Sequence, residues 1–339
     1  MAVSTHRCEV VPIILEPHPN ATNLSIVKVF DKYTVCVRTE DFANDNKGIY
    51  FPPDSVLPPG FLKDGRVTVR RFRGVMSQGL LMPLSAFPSI PPEAPIGKDF
   101  AKVLGVTHYE PPPLVGKPTA GEPPPLTGPT YDIENWHKYA SSFQDGEEVE
   151  ISEKIHGTNF RVTWQEAKDG TPKLFVASRH RWIKPPEDNK KDAYHQALEA
   201  NPWVKELAQR YPTRIFYGEV FGMVQTLHYG ATPDNPYKIV LFDIYDPLDM
   251  RFLNLDERNS ILGLDLQRRP PVLYFGPYST PTVQKYIDGK TKIEGADHLR
   301  EGVVIRPVAE RSNLKLDRVI LKAVSPQYLE AQKGRNAKS

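Results

Sequence analysis

Residues 153–159 read Glu153-Lys154-Ile155-His156-Gly157-Thr158-Asn159, the densest cluster of chemically reactive side chains in the sequence. Alternating side chains over 149–153 predict a strand before it, and Gly157 permits a sharp turn into a second strand over 159–164. A lysine at such a turn reaches a ligand yet loses part of its hydration. Burial and neighbouring cations lower a lysine's pKa and make its amine a nucleophile. Lys154 is therefore the candidate nucleophile, and a solvated lysine in a hairpin turn is the alternative that this segment leaves open.

Four later positions supply charges and a ring of the kind that a nucleotide needs. Glu219 and Glu301 each stand beside a glycine at a strand edge, where a carboxylate can bind magnesium or its waters. Lys322 lies in an otherwise apolar run, where a cation is costly unless it meets an anion, and Phe242 offers an aromatic face. Singly, they also fit solvated edge carboxylates, a lysine with a buried stem and a core phenylalanine. Jointly, they describe a pocket for a nucleoside triphosphate.

The composition limits the class of protein. The 339 residues are 40% hydrophobic and 25% charged, which is typical of a globular chain of about two domains and excludes a disordered tail. The net charge of +2 excludes a general basic field, so any nucleic-acid site must be local. Two cysteines, Cys8 and Cys36, exclude a disulfide scaffold and indicate a reducing compartment. No apolar run approaches the ~18 residues of a membrane span, so we expect a cytoplasmic protein.

Proline divides the chain. Residues 111–130 contain eight prolines, which favour extended geometry and predict a semi-rigid linker, with a proline-rich docking motif as the alternative. Residues 1–110 hold short β-branched segments separated by turns, which predict a small barrel or sandwich. Residues 131–339 alternate strand-like runs with a helix predicted over 192–210, which indicates an α+β domain.

The later motifs occur in an order that resembles a known family. Covalent ligases and RNA capping enzymes carry nucleotidyltransferase motifs like these, listed in chain order: Lys154-Ile155-His156-Gly157, Ser178-Arg179, Tyr217-Gly218-Glu219, Phe242-Asp243, Glu301-Gly302-Val303-Val304 and Leu321-Lys322. The histidine of the Lys-x-His-Gly pattern, with glutamate before it and Thr-Asn after it, resembles ATP-dependent RNA ligases, because DNA ligases usually carry aspartate there. The resemblance covers about residues 131–325.

The first domain has a resemblance of its own. His18-Pro19-Asn20-Ala21 and the segment over 71–81 look like the tRNA-binding OB module of synthetase-associated proteins. OB barrels bind nucleic acid through a basic groove with aromatic stacking, so Arg70, Arg71 and Arg73 are the candidate contacts. Alternation places Arg70 and Arg71 on opposite faces, which leaves a solvated barrel surface as the alternative. An OB domain before such a core resembles family-five RNA ligases.

The resemblance implies a fold class and a reaction. The fold would be α+β: an N-terminal OB-like β-barrel, then an adenylyltransferase domain of ATP-grasp-like antiparallel sheets with helices. The enzyme would be an RNA ligase that uses ATP with Mg²⁺ or Mn²⁺ and joins 3′-hydroxyl and 5′-phosphate ends through lysyl-AMP and RNA-adenylate. Its partner would be RNA, a nicked duplex held by the OB domain, and the protein would act as a monomer.

The resemblance also implies roles for individual residues. Lys154 would carry AMP, Glu219 would contact the ribose or metal, Glu301 the metal, Phe242 the adenine and Lys322 the α-phosphate. Further nucleotide contacts would fall at Glu153, Ile155, His156, Gly157, Asn159 and Arg179. The family's last motif often has a second lysine, and here Ile320 holds that position. Arg318 or Lys315 could supply the missing phosphate contact.

Two alternatives share parts of this pattern. A capping guanylyltransferase has the same core but continues into a C-terminal OB domain, and too few residues follow Lys322 for one. A non-catalytic tRNA- or RNA-binding protein with a relic core would not need every reactive residue. Transfer of label from ATP, from GTP or from neither separates the three.

Overall fold

The computed structural model describes residues 6–62, 65–109, 118–186, 192–263, 265 and 267–336. The chain divides into two compact units: unit 1 comprises Met1–Pro111, Glu134–Ala140 and Pro326–Ser339, and unit 2 comprises Pro112–Ile133 and Ser141–Ser325. Within the described residues, no helix has both the length and the apolar character that a membrane span requires.

Unit 1 consists mainly of short strands. Its elements are β1 (Glu9–Pro12), β2 (Glu16–Pro17), β3 (Leu24–Val29), β4 (Tyr33–Arg38), β5 (Lys47–Phe51), β6 (Ser55–Val56), β7 (Arg70–Phe72), β8 (Val75–Ser77), β9 (Leu80–Pro83), β10 (Thr107–His108), β11 (Glu134–Asn135), α1 (Trp136–Tyr139) and α6 (Pro326–Asn336). The sheet β1-β5-β9 is buried on both faces, because alternation sends Ile49 and Phe51 into one apolar cluster and Tyr50 into another. A three-stranded sheet β2-β3-β4 and the pairs β7-β8 and β6-β10 complete its described strand pairing.

The described strands of unit 1 do not close into the predicted barrel. β4 pairs with β3, but its contact with β8 is limited to isolated bonds. The Cys36 N–H donates to Ser77 Oγ at 3.0 Å, and the Gln78 N–H donates to the Thr34 carbonyl at 2.8 Å. Gly79, at φ +116°, then turns the chain away against the Tyr50 ring, so no ladder continues there. The barrel is therefore corrected to several small sheets.

Unit 2 has the predicted α+β architecture, with two antiparallel sheets and helices. Its elements are β12 (Glu148–Lys154), β13 (Thr158–Glu166), β14 (Pro172–Ala177), β15 (Trp182–Ile183), α2 (Ala193–Ala200), α3 (Trp203–Arg210), β16 (Ile215–Gly222), β17 (Tyr237–Asp246), β18 (Arg251–Phe252), α4 (Leu255–Leu262), β19 (Val272–Pro277), α5 (Thr280–Ile287), β20 (Gly302–Pro307) and β21 (Leu321–Val324). The large sheet has the order β15-β14-β13-β16-β17-β18, and the strands of the small sheet run β21-β20-β12-β19.

Alternation along the strands separates two apolar layers in unit 2. Phe160 and Val162 of β13 face a core shared with α2 and α3. Tyr217 of β16 lies instead in a cluster with Ile320 and Val304, which join the large sheet to the small sheet. The residues of β13 that alternate with Phe160 and Val162, namely Asn159 and Arg161, therefore share the Tyr217 face of the large sheet, where polar side chains can meet a ligand.

The helix predicted over 192–210 is two helices. Asp192 caps α2 by accepting from the N–H groups of Tyr194 and His195, as expected for a helix start. The break falls at Asn201 and Pro202, because proline has no N–H to donate to the preceding turn. The single-helix prediction was wrong at this point.

Part of the predicted linker packs along unit 2. The Gln165 side chain exchanges two hydrogen bonds with the backbone of Leu126, at 2.9 and 2.8 Å. The Tyr217 hydroxyl donates to the Pro129 carbonyl at 2.7 Å, close to Gly128, where a Cβ atom would meet that hydroxyl. Residues 118–130 thus lie against the sheet, whereas residues 111–117 lie outside the described residues.

Candidate active site

The small sheet carries two lysines on one face. Lys154 ends β12 opposite Gly302, and Lys322 lies opposite Val304, which pairs in turn with Ser152. Since alternate residues share a face, Lys154, Ser152 and Lys322 project to the same side. The Nζ atom of Lys154 lies 2.7 Å from Oε1 of Glu301, with 24% of the lysine side chain exposed. The predicted nucleophile therefore stands at the mouth of the space between the sheets.

The large sheet brings a second carboxylate. Glu219 of β16 lies opposite Asn159 of β13 in the ladder. Gly157 makes this approach possible, because a Cβ there would collide with the Val220 carbonyl and the Glu219 side chain. Burial, aided by the negative charge of Glu301, raises the pKa of Glu219 to about 8 against the opposing effect of Lys154. Lys154 alone does not offset burial and the negative charge of Glu301. A bound cation would therefore stabilise the charged form of Glu219.

Glu301 and Lys322 have shifted protonation equilibria as well. Burial tends to raise the pKa of Glu301, but Lys154 and His156 outweigh it and lower that pKa to about 2. Burial, together with the charges of Lys154 and Arg179, lowers the pKa of Lys322 to about 8. Cations thus converge at one site, and an anion such as a phosphate would relieve their repulsion.

Two polar atoms in the site have unused binding capacity. Oδ1 of Asn159 and Oε2 of Glu301 are buried and have no hydrogen-bond partner. Arg179, whose side chain is 41% exposed, lies with Nη1 at 3.6 Å from Oδ1 of Asp132. Buried polar groups normally have partners, so unpaired acceptors beside lysines indicate a place for a ligand.

The residues present fit a nucleotide with a metal better than a metal alone. The described residues include no group of three or more histidine, cysteine or acidic side chains placed to hold an ion. Magnesium is commonly bound by one or two carboxylates, with waters and substrate phosphates completing its ligands. Glu219 and Glu301 match that donor set, and the nearby lysines match the phosphates.

Other predicted residues are placed less directly. The Glu153 side chain points to the face opposite Lys154, where Thr291 Oγ1 and the Lys292 N–H donate to it at 2.5 and 2.7 Å. Ile155 is buried. Phe242 is half-buried and packs in the cluster between the sheets, its ring centroid 4.9 Å from that of Tyr131.

The position of the missing lysine is apolar in this chain. Ile320 is only 5% exposed and packs with Tyr131 and Tyr217. Arg318 does not replace the lysine, because Nη2 donates to Asp243 Oδ2 at 2.9 Å and Nε donates to Glu310 at 2.6 Å. Its guanidinium also lies 3.6 Å from the centre of the Phe252 ring. Lys315 is exposed.

Three residues of the site escaped the sequence analysis. Asp132 lies beside Arg179, and two residues from one loop contact His156. The Tyr229 hydroxyl accepts from the His156 N–H at 2.8 Å, and Thr226 Oγ1 lies 3.3 Å from Nε2 of the same histidine. No local pattern marks these residues, because their partners lie far away in the chain.

The predicted arginines of unit 1 lie on one hairpin. Arg70 and Arg71 are exposed in β7, and Arg73 stands at the turn with φ +45°. His18 Nε2 contacts the Phe72 carbonyl at 3.1 Å, and Asn20 Nδ2 donates to the Arg73 carbonyl at 2.9 Å. The two sequence segments singled out above therefore meet at this turn.

Arg71 differs from the other two arginines. It forms a bidentate ion pair with Glu330 of α6, at 2.8 and 2.9 Å. Its Nη1 also donates to the Gly74 carbonyl at 3.1 Å. Arg71 thus joins the hairpin to the last helix of unit 1.

Comparison with known proteins identifies the family. A family model described as RNA ligase matches residues 147–324, just over half of the chain and every motif from Lys154 to Lys322. The chain therefore belongs to the RNA ligase family, whose members join RNA ends. A search of curated proteins found no match.

Solved structures of Naegleria gruberi RNA ligase have a similar fold. One described with pyrophosphate has a TM-score of 0.78 and 21% identity, and the match covers 98% of this chain and 100% of that one. A lysine-to-alanine variant described with ATP and manganese has a TM-score of 0.76 and 22% identity, covering 96% and 99%. A lysine-to-methionine variant described with AMP and manganese has the same TM-score and identity, covering 96% and 98%.

Proposed function

We propose that this RNA ligase uses ATP and joins a 3′-hydroxyl to a 5′-phosphate in three nucleotidyl steps. The Lys154 amine, having lost its proton, attacks the α-phosphorus of ATP; a P–N bond forms and pyrophosphate leaves. The RNA 5′-phosphate then displaces the lysine and takes AMP. Finally the 3′-hydroxyl of the other RNA end attacks the phosphorus of the RNA 5′-phosphate, so that a phosphodiester bond forms and AMP leaves. The observation that carries the proposal is the 2.7 Å contact of Lys154 with Glu301 in the site that also holds Glu219 and Lys322.

ATP and a divalent metal are the proposed cofactors. The Naegleria ligase structures are described with ATP or AMP and manganese, which favours adenine over guanine by analogy. Glu219 and Glu301 would hold Mg²⁺ or Mn²⁺, directly or through water. The metal would neutralise charge that develops on the phosphates.

The proposed contacts of the nucleotide follow from the positions of the side chains. Lys322 and Arg179 would bind phosphate oxygens, since they contribute positive charge on the Lys154 side of the site. The unpaired Oδ1 of Asn159 would accept from a ribose hydroxyl. Phe242 would stack on adenine only by its half-exposed edge, because much of its ring packs in the inter-sheet cluster.

Unit 1 is the proposed RNA clamp, with an OB-like role. Arg70 and Arg73 on the β7-β8 hairpin would bind phosphates flanking a nick, with a smaller part for Arg71 because Glu330 already engages it. Phosphate contacts position a nucleic acid without reading its sequence, as a nick-sealing enzyme requires. We place the enzyme in the cytoplasm as a monomer, where its two free cysteines would stay reduced.

Label transfer tests the proposal. The full-length protein is incubated with Mg²⁺ and either α-labelled ATP or α-labelled GTP, and the denatured protein is examined for covalent label. We expect label from ATP on Lys154 and its transfer to a 5′-phosphorylated nicked duplex. Label from GTP would indicate capping chemistry instead, and no label from either would indicate a binding protein.

A further inference from the structure

Two loops contact residues on either side of Lys154 in the chain. The first connects β16 to β17 and spans residues 223–236; we call it the 223–236 loop. The second connects α5 to β20 and spans residues 288–301; we call it the 288–301 loop. The 223–236 loop contacts His156, two residues after Lys154, and the 288–301 loop contacts Glu153, the residue before it.

The 223–236 loop fixes both the backbone and the side chain of His156. The fully buried Tyr229 accepts a hydrogen bond from the His156 N–H at 2.8 Å. Thr226 Oγ1 lies 3.3 Å from Nε2 of that histidine, whose Nδ1 lies 3.6 Å from Oε2 of Glu301. Tyr229 therefore acts on the turn that follows the nucleophile.

The backbone of Tyr229 is held in an uncommon conformation. Its φ of +49° is in the left-handed region, which side chains other than glycine seldom adopt. Lys238 Nζ donates to its carbonyl at 3.0 Å, and its ring packs edge-on against Phe221 with centroids 5.2 Å apart. A residue kept in such a conformation by several contacts marks a place where geometry is tightly specified.

The 288–301 loop fixes the other neighbour. Glu153 is 1% exposed, and its carboxylate accepts from Thr291 and from the Lys292 backbone. The two loops also pack on each other, because the rings of Tyr229 and His298 lie 4.6 Å apart and nearly perpendicular. The residues that bracket Lys154 are thus tied to one packed support.

We propose that Tyr229 is a positioning residue for the nucleophile: through the His156 N–H it sets the turn that aims Lys154 at the α-phosphorus. The inference rests on the lysyl-AMP step proposed above. Nucleotidyl transfer depends on alignment more than on acid–base chemistry, and a displacement of ~1 Å can cost about 100-fold in rate. Glu153 serves the same end from the opposite side of the strand, which gives it a part in catalysis without contact with the nucleotide.

Tyr229→Phe in the full-length protein tests the role, because it removes one oxygen and keeps the ring. We expect lysyl-AMP formation at saturating ATP to fall about 10- to 100-fold, with KM for ATP within about twofold of wild type. Sealing of a pre-adenylated nick, which does not need Lys154 to carry AMP, should stay within about threefold. Tyr50→Phe is the matched control, since that buried tyrosine also makes one hydroxyl hydrogen bond, to the Gln78 carbonyl at 2.8 Å in unit 1.

A second variant guards against misfolding. Glu153→Gln keeps the shape of the side chain and should give the same split between slow lysyl-AMP formation and retained sealing of pre-adenylated ends. Equal loss of both reactions in Tyr229→Phe and Glu153→Gln, or wild-type lysyl-AMP formation in both, would overturn the inference. If wild type itself took no label from ATP, the proposed function would fail instead, and the two failures are distinguishable.

Discussion

Lys154 and Glu301 form an ion pair, with 2.7 Å between Nζ and Oε1, although they come from strand regions 147 positions apart in the chain. The pKa of Glu301 is lowered to about 2, since Lys154 and His156 outweigh the burial that would raise it. The carboxylate is therefore charged at neutral pH and holds the lysine in place. An ammonium cannot attack phosphorus, so the amine must lose a proton before lysyl-AMP forms.

The first prediction concerns the nucleophile. Lys154→Ala should abolish covalent label from ATP and sealing of 5′-phosphate ends, because the amine that carries AMP is gone. Sealing of pre-adenylated ends should remain in part. Lys173→Ala, which removes an exposed lysine of β14, is the control and should behave as wild type. Mass spectrometry that found AMP on another lysine of the wild type would contradict the assignment.

The second prediction concerns the carboxylates. Glu219→Ala and Glu301→Ala should each slow lysyl-AMP formation by about 100-fold or more, because metal-positioned charge stabilisation is worth several kcal/mol. The Mg²⁺ concentration required for half-maximal rate should also rise. Glu166→Ala, at the exposed end of β13, supplies the comparison. Unchanged rate and metal dependence in both site variants would make these acids ordinary residues.

The third prediction concerns the apolar position in the last motif. Ile320→Lys should not restore a phosphate contact but should destabilise unit 2 by roughly 3–5 kcal/mol, because it would bury an unpaired cation in the inter-sheet cluster. Ile320→Leu should cost less than about 1.5 kcal/mol. Urea unfolding of the two variants measures the difference. Wild-type stability together with faster lysyl-AMP formation in Ile320→Lys would show that this position reaches the phosphates.

The fourth prediction concerns the hairpin. Arg70→Glu and Arg73→Glu should weaken binding of a nicked duplex and lower the slope of log affinity against log salt by ~0.7–0.9 per lost phosphate contact. Glu330→Gln should strengthen binding, because it frees Arg71 from its carboxylate partner. Anisotropy of a labelled duplex across salt concentrations measures each slope, and label transfer from ATP should be unaffected. Slopes equal to wild type in all three variants would assign the hairpin another partner.

The fifth prediction concerns pH. Burial, aided by the charge of Lys32, lowers the pKa of His137 to about 4 from 6.5. The unfolded chain binds a proton at His137 more readily than the folded protein does. The free energy of unfolding is therefore at its full value, as far as His137 is concerned, above pH 6.5, and it falls by about 3 kcal/mol in all as pH falls towards 4. His137→Gln should flatten this dependence. The test is urea unfolding followed by Trp136 fluorescence in a protein whose other tryptophans are phenylalanine; parallel pH profiles would refute it.

Local pattern predicted strands that have clear alternation and missed elements that are short or exposed. β4 and β5 lie among the short β-branched segments predicted for residues 1–110, because alternation and flanking turns mark them. β19 was not predicted, since Phe275 and Val272 are exposed and break the expected pattern. The helices α4 and α5 are each eight residues long, too short for a helical period to stand out. The closed barrel failed because ladder closure depends on pairings between distant segments.

The sequence likewise predicted some residues of the candidate site and missed others. Lys154, Glu219 and Glu301 were predicted from short motifs that contain a glycine, and Lys322 from its place in an apolar run; the structure brings all four to one place. Tyr229 could not be predicted, because its hydroxyl meets a backbone group 73 positions away. A sequence pattern records neighbours along the chain, whereas support of this kind is fixed only by folding.

Arg71 and Glu330, which form an ion pair in the folded protein, are synthesised far apart in time. The two residues are separated by 259 positions, although both belong to unit 1. At about 5–20 residues per second, a ribosome needs roughly 13–52 s to reach Glu330 after Arg71. The hairpin arginines are synthesised first. Arg71 then has no Glu330 to pair with until the residues of unit 2 have been translated. A nascent chain would thus expose the arginines of the β7-β8 hairpin to nearby RNA before Glu330, which pairs with Arg71, has been synthesised.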